Sequence, residues 1–222
     1  MRPKICVVVP AFTFKRTLEQ VQSTPDADLI EIRFDFHVEV ISVEELLKAS
    51  SVPLIATNRC LAEGGFAKES EEERIRLLIK ASEAGYEYVD LELGTPRLPE
   101  LVENIKKEGS KCILSHHDFE KTPSLSELKV LYKQAKNAGA DIAKLVGTAN
   151  SYNDNVEYLD FLRGSPGNVS FGMGSLGIIS RIVSPIVGGA FTYASGEGGR
   201  ESAPGQLTLN KMRFIYDQMG VY

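Results

Sequence analysis

Lys144 stands in the middle of a short apolar run, Ala140-Asp141-Ile142-Ala143-Lys144-Leu145-Val146. Such a run reads as a strand buried on both faces. Side chains alternate along a strand, so Ile142, Lys144 and Val146 share one face. A lysine turned into a core holds a poorly solvated charge, and a neutral amine is a nucleophile toward carbonyl carbon. A lysine at a strand end can equally snorkel to water along its apolar stem. Other reactive groups decide between these readings. His116-His117-Asp118 offers an acid–base group. Glu31, Arg33 and Asp35 carry charge at every other position. Arg59 and Glu63 precede Gly64-Gly65, which as a backbone nest could also hold phosphate. Arg181 follows Phe171-Gly172-Met173-Gly174, and the glycine-rich segment 195–206 ends in Ser202-Ala203-Pro204-Gly205-Gln206. Taken singly, each has a plain structural explanation: an ion pair, a surface charge or a hydrogen-bonded histidine.

The elements that must position these groups alternate. Strand patterns occupy 4–9, 28–34, 53–57, 86–91, 111–115, 140–146, 169–173 and 186–192. Helical patterns occupy 14–22, 43–49, 69–84, 98–107, 124–138, 153–162, 176–183 and 207–219. Ser42 with Glu45 and Ser124 with Glu127 have capping-box spacing. Eight strand–helix units imply a parallel sheet with helical crossovers, hence one closed (β/α)8 barrel over residues 1–222. An open doubly wound sheet is the alternative, and no GxGxxG follows the first strand to favour it. In a barrel the strands' C-terminal ends and the loops after them form the active face. Every reactive group above falls at that end, and the long segment 195–206 reads as a lid.

Composition agrees with an ordinary globular enzyme. The 222 residues are 43% hydrophobic and 25% charged, enough for a sizeable core. The net charge of -5 argues against a nucleic-acid or membrane-surface role. No long apolar segment follows Arg2 and Lys4, so neither a signal peptide nor a membrane span is expected, and a cytoplasmic location is the natural expectation. Cys6 and Cys112 lie in apolar runs and read as core residues, whereas Cys60 lies in a loop. The three cysteines lack metal-site spacing, and neither a metal-ligand set nor a cofactor motif is expected.

The chemistry that suits a lysine, a histidine, two carboxylates and three arginines at one barrel mouth is imine catalysis. Lys144 would attack a ketone, and the protonated Schiff base would acidify a neighbouring C–H. Arginines near Lys144 would favour its neutral amine. His117 would remove the proton and hand it to a leaving hydroxide. Glu63 would fix the imidazole tautomer, and arginines would clamp a substrate carboxylate. Glu31 and Arg33 would anchor hydroxyl groups. An aldolase-type Schiff-base barrel acting on a sugar phosphate and a non-catalytic barrel binding a hydroxy-carboxylate are the alternatives.

Six blocks, in order, carry a family resemblance. They are Glu31-Ile32-Arg33-Phe34-Asp35, Arg59 with Glu63-Gly64-Gly65, Ser115-His116-His117-Asp118-Phe119, Ala140-Asp141-Ile142-Ala143-Lys144, Met173-Gly174 with Ile179-Ser180-Arg181, and Ser202-Ala203-Pro204-Gly205-Gln206. Together they resemble the type I 3-dehydroquinate dehydratases over essentially the whole chain. The resemblance implies a cofactor-free hydro-lyase of the shikimate pathway, serving chorismate and aromatic amino acid biosynthesis. It would convert 3-dehydroquinate to 3-dehydroshikimate by syn elimination of water through a Schiff base. By motif position Lys144 matches the imine lysine, His117 the acid–base residue and Glu63 its carboxylate. Arg181 matches the carboxylate-binding arginine, and Ser202 and Gln206 match lid residues. Glu31, Arg33 and Arg59 would line the hydroxyl side of the ring, and Met173 and Tyr193 would pack against it. A homodimer is the assembly the resemblance implies.

Overall fold

The computed structural model describes residues 2–196 and 205–221. Strands β1 (Ile5–Pro10), β2 (Leu29–Arg33), β3 (Leu54–Thr57), β4 (Tyr88–Glu92), β5 (Lys111–Asp118), β6 (Ile142–Thr148), β7 (Val169–Met173) and β8 (Thr192–Ser195) form the barrel wall. Helices α1 (Phe14–Gln22), α2 (Val43–Ala49), α3 (Glu71–Ala84), α4 (Leu98–Lys107), α5 (Leu125–Asn137), α6 (Asp154–Gly164), α7 (Ile178–Val183) and α8 (Leu209–Gln218) alternate with them. All strand pairs are parallel, in the order β7-β6-β5-β4-β3-β2-β1-β8. The seam of the (β/α)8 barrel lies between β7 and β8.

Period-two alternation divides the apolar residues into two layers. Cys6, Val8, Ile55, Ile113, Ile142, Val146 and Phe171 fill the barrel interior. Val7, Val9, Ile32, Leu91, Leu114, Ala143 and Leu145 face outward onto the helices. The helices form where caps and apolar faces coincide. Ser124 and Glu127 close a reciprocal capping box at α5, and Ser70 with Glu73 does the same at α3. Ser42 Oγ accepts the Glu45 N–H at 3.3 Å but gives its own proton to Glu44, so the box expected there is half formed.

Two boundaries differ from the sequence expectation. β5 continues through His116, His117 and Asp118 instead of ending at Ser115, because its ladder with β6 extends to Asp118. β8 begins at Thr192, whereas 184–188 form turns after α7. Gly188 there has φ +123°, and a Cβ on Gly189 would meet the Ser184 carbonyl oxygen at 2.7 Å. That backbone path cannot hydrogen-bond as a strand, although Ile186 and Val187 look like one.

Candidate active site

The C-terminal mouth of the barrel opens onto a cavity. Lys144, Glu31, Glu63, His117, Arg181 and Tyr193 are among its lining residues. Because Ile142 and Val146 face inward on β6, Lys144 between them does so too, and it is buried. Its Nζ lies 3.1 Å from Glu31 Oε1 and 2.9 Å from Asp90 Oδ2. It also sits 4.4 Å from the centroid of the Tyr193 ring, a cation–π contact. Glu31, Asp90, Lys144 and Tyr193 come from β2, β4, β6 and β8, so they form one four-residue layer of alternate strands. The expectation of arginines around the amine is corrected here. Its direct ionic contacts are carboxylates, and the guanidinium of Arg59 stands behind one of them.

Asp90 is held from three sides. Arg59 Nη2 is 2.8 Å from Oδ1, and Ser115 donates to the same oxygen at 2.6 Å. Burial would raise this carboxyl, but Arg59 and Lys144 outweigh it and hold Asp90 down to about 2. Arg59 Nη1 meets Glu92 Oε1 at 3.1 Å and Ser115 Oγ at 2.6 Å. Burial works against the Arg59 charge, yet Asp90 and Glu92 keep its pKa well above the ordinary value.

His117 reaches the cavity from the inner face of β5. Its Nδ1 lies 2.9 Å from Glu63 Oε2, which also accepts the His117 backbone N–H at 3.1 Å. An oxygen that accepts one N–H is set to accept a second, so the ring presents its proton at Nδ1 and its lone pair at Nε2. Burial, reinforced by Arg59 and Lys144, pulls the imidazole well below its usual pKa. Burial also pushes Glu63 up, to about 7. His117 is therefore a neutral imidazole, able to take a proton. Glu63 is aimed by its loop. Gly65 packs so tightly that a Cβ would meet the Arg59 carbonyl oxygen at 1.9 Å. Asp35 accepts the backbone N–H groups of Arg59 and Phe66, and Glu92 accepts that of Cys60.

A buried lysine between carboxylates beside a neutral histidine is a constellation that known proteins can identify. The type I 3-dehydroquinase family model matches residues 5–222. The chain belongs to that family. A 3-dehydroquinate dehydratase of Dehalococcoides mccartyi strain 195 is 42% identical over 216 residues, covering 96% of this chain and 95% of the relative. The 3-dehydroquinate dehydratase of Pyrococcus abyssi is 37% identical, with 97% and 98% covered. The crystal structure of 3-dehydroquinate dehydratase from Geobacillus kaustophilus superposes with a TM-score of 0.88 at 26% identity, covering 100% of this chain and 93% of that one. The type I enzyme from Clostridium difficile, solved with covalently modified comenic acid, gives 0.86 at 27% identity, with 98% and 92% covered.

In this type I 3-dehydroquinase, seven of the eight expected substrate-side residues line the cavity with Lys144, His117 and Glu63: Glu31, Arg33, Arg59, Arg181, Met173, Tyr193 and Gln206, while Ser202, the eighth, lies outside the described residues.

 Arg33 is turned partly away, paired through Nε and Nη2 with Asp35 at 2.8 Å each and stacked on Phe36. Arg181, at the end of α7, is buried with its guanidinium 4.3 Å from the Phe171 centroid. The lid expected over 195–206 falls largely on residues outside those described, and Gln206 is buried at its end. Sequence reasoning missed Asp90, Glu92 and Ser115. The signal existed: Asp90 and Glu92 alternate on β4 as Glu31 and Arg33 do on β2. No described helix is long and apolar enough to cross a membrane.

Proposed function

We propose that this type I 3-dehydroquinase dehydrates 3-dehydroquinate to 3-dehydroshikimate through a Schiff base on Lys144, with His117 as the acid–base group. The observation that carries the reading is the placement of Lys144 Nζ and the His117–Glu63 pair in one cavity wall. Lys144 gives up one ammonium proton and its amine attacks the substrate ketone; that proton returns to the carbinolamine hydroxyl, which leaves as water and gives a protonated imine. That cation draws electrons from the adjacent carbon. His117 takes the proton there, and the electron pair forms an enamine. The enamine then expels hydroxide from the next carbon, and His117 returns the proton to it as it leaves. One base serving both transfers from one face gives syn elimination. Hydrolysis of the imine frees the enone product and the lysine.

The remaining residues bind and orient. Arg181 suits the substrate carboxylate because its planar fork gives two parallel hydrogen bonds. Glu31, Arg33 and Arg59 take the hydroxyl side of the ring, and Met173 and Tyr193 pack against it. Ser202 and Gln206 belong to a lid over about 195–206 that excludes water during the chemistry. The single barrel over 1–222 acts as a cytoplasmic homodimer in the shikimate pathway, a reading that rests on the family resemblance.

Borohydride reduction in the presence of 3-dehydroquinate tests the mechanism. The expected product is a covalent adduct located on Lys144 by peptide mass spectrometry. An active enzyme that yields no adduct, or an adduct on another lysine, overturns it.

A further inference from the structure

We infer that Asp90 is the counter-ion of the Schiff base: the single N–H left on Lys144 Nζ stays on Asp90, and Glu31 is released to the substrate. The inference rests on the reading that Lys144 forms the imine.

The argument starts from a proton count. A lysine ammonium has three N–H donors, and here two of them face carboxylates, Glu31 at 3.1 Å and Asp90 at 2.9 Å. When Nζ condenses with a ketone, the N–C bond forms and the ketone C–O bond breaks. The oxygen leaves as water with two of the three protons. One N–H and one positive charge remain on nitrogen. A single donor can hold one of these carboxylates in a direct linear bond, so the other loses its partner.

The surroundings decide which one. Asp90 Oδ1 is clamped by Arg59 at 2.8 Å and by Ser115 at 2.6 Å, which leaves Oδ2 for Lys144. Ser115 is the residue in register with Lys144 across the β5–β6 ladder, so the clamp is built beside the lysine itself. Asp90 is buried and does not contribute to the cavity wall among the described residues. Glu31 has a looser hold. Its Oε1, the same oxygen that meets Nζ, accepts one hydrogen bond from Thr57 at 3.1 Å, and its side chain lines the cavity. Asp90 therefore stays in place as the imine forms, while Glu31 can turn to a substrate hydroxyl. A fixed anion beside the iminium keeps it protonated, which preserves the electron sink.

The titratable and charged groups around Nζ and its partners are Cys6 on β1, Glu31 and Arg33 on β2, Arg59 and Glu63 after β3, Asp90 on β4, His117 on β5 and Tyr193 on β8. The test must separate Asp90 from Glu31 among them. Cyanoborohydride reduces a protonated iminium far faster than a neutral imine, so its trapping rate reports the protonated fraction. Trapping with 3-dehydroquinate is followed by mass spectrometry from about pH 6 to about pH 9 in the full-length enzyme. In Asp90→Asn the pH at which trapping falls drops by about one unit or more relative to the unaltered protein, the effect of removing an opposite charge at this range. Glu31→Gln leaves that pH in place while raising KM. Ser115→Ala, a milder change, shifts it in the Asp90→Asn direction and keeps the inference testable if Asp90→Asn does not fold. A shift in Glu31→Gln equal to or larger than that in Asp90→Asn or Ser115→Ala overturns the assignment. Absence of any adduct in the unaltered enzyme overturns the Schiff-base reading itself, and the counter-ion with it.

Discussion

One oxygen of Glu63 accepts both the ring and the backbone N–H of His117, at 2.9 and 3.1 Å. The carboxylate thus reads the position of the strand and the orientation of the ring together. A side chain that merely neutralised His117 would have no need of the second bond.

The first prediction concerns that pair. Burial pushes Glu63 up to about 7, so its carboxylate is gained as pH rises through that value. We expect kcat/KM to climb with pH along a limb near 7. Glu63→Gln removes this limb and lowers kcat by about 100-fold or more, within the range of acid–base catalysis. The same shift acts on stability with a definite sign. The folded protein keeps the Glu63 proton above 4.5, where the unfolded chain releases it. Stability from this group is present at low pH and is lost as pH rises toward about 7. Urea melts across that window should show the unaltered protein losing stability relative to Glu63→Gln. The opposite trend would mean the carboxyl is not desolvated.

Lys144→Ala should abolish turnover and also weaken the fold. Removing the cation leaves Glu31 and Asp90 buried without their shared partner, and breaking a buried ion pair from one side costs about 3 kcal/mol or more. Arg59 still neutralises Asp90, so the lower end of the range is expected. Denaturant unfolding at neutral pH measures it. A loss below about 1 kcal/mol, the size of an exposed pair, would show that Nζ is not held as described.

Arg181→Ala should act mainly on binding. Charge-assisted hydrogen bonds contribute about 1.5–3 kcal/mol each, so KM should rise by about 10- to 100-fold. Steady-state kinetics with Arg181→Lys recovering part of the loss would support carboxylate binding, because lysine keeps the charge without the fork. A fall in kcat at unchanged KM would place Arg181 in the chemistry instead.

Gly65→Ala should damage activity without touching a reactive group. Its Cβ would lie 1.9 Å from the Arg59 carbonyl oxygen, so the loop carrying Glu63 must move. Overpacking of this kind costs about 1–3 kcal/mol in stability. The crucial measurement is kcat in a variant that is still folded: an unchanged value would show that the aim of Glu63 does not depend on this tight approach.

Much of the molecule was legible beforehand because its signals are local. Period-two alternation put Lys144 on the face of Ile142 and Val146, and that face is the barrel interior. Ser124 and Glu127 announced the start of α5, since a capping box needs only three residues of spacing. The turn at 184–188 escaped because Ile186 and Val187 are apolar while the backbone is dictated by Gly188 and Gly189, whose cost is felt only against Ser184.

By itself, the sequence determined the alternation of elements, and with it which side chains look inward and at which end of the barrel they gather. It did not determine which of them share a level. Lys144 and Asp90 are 54 residues apart, and Lys144 and Glu31 are 113 apart. Only the tilt and stagger of a nearly closed parallel barrel bring residues of β2, β4, β6 and β8 into one layer. That geometry gave Lys144 two carboxylates and an aromatic face as neighbours and set Arg59 behind Asp90, because stagger is a property of the whole ring of strands and is written in no single one.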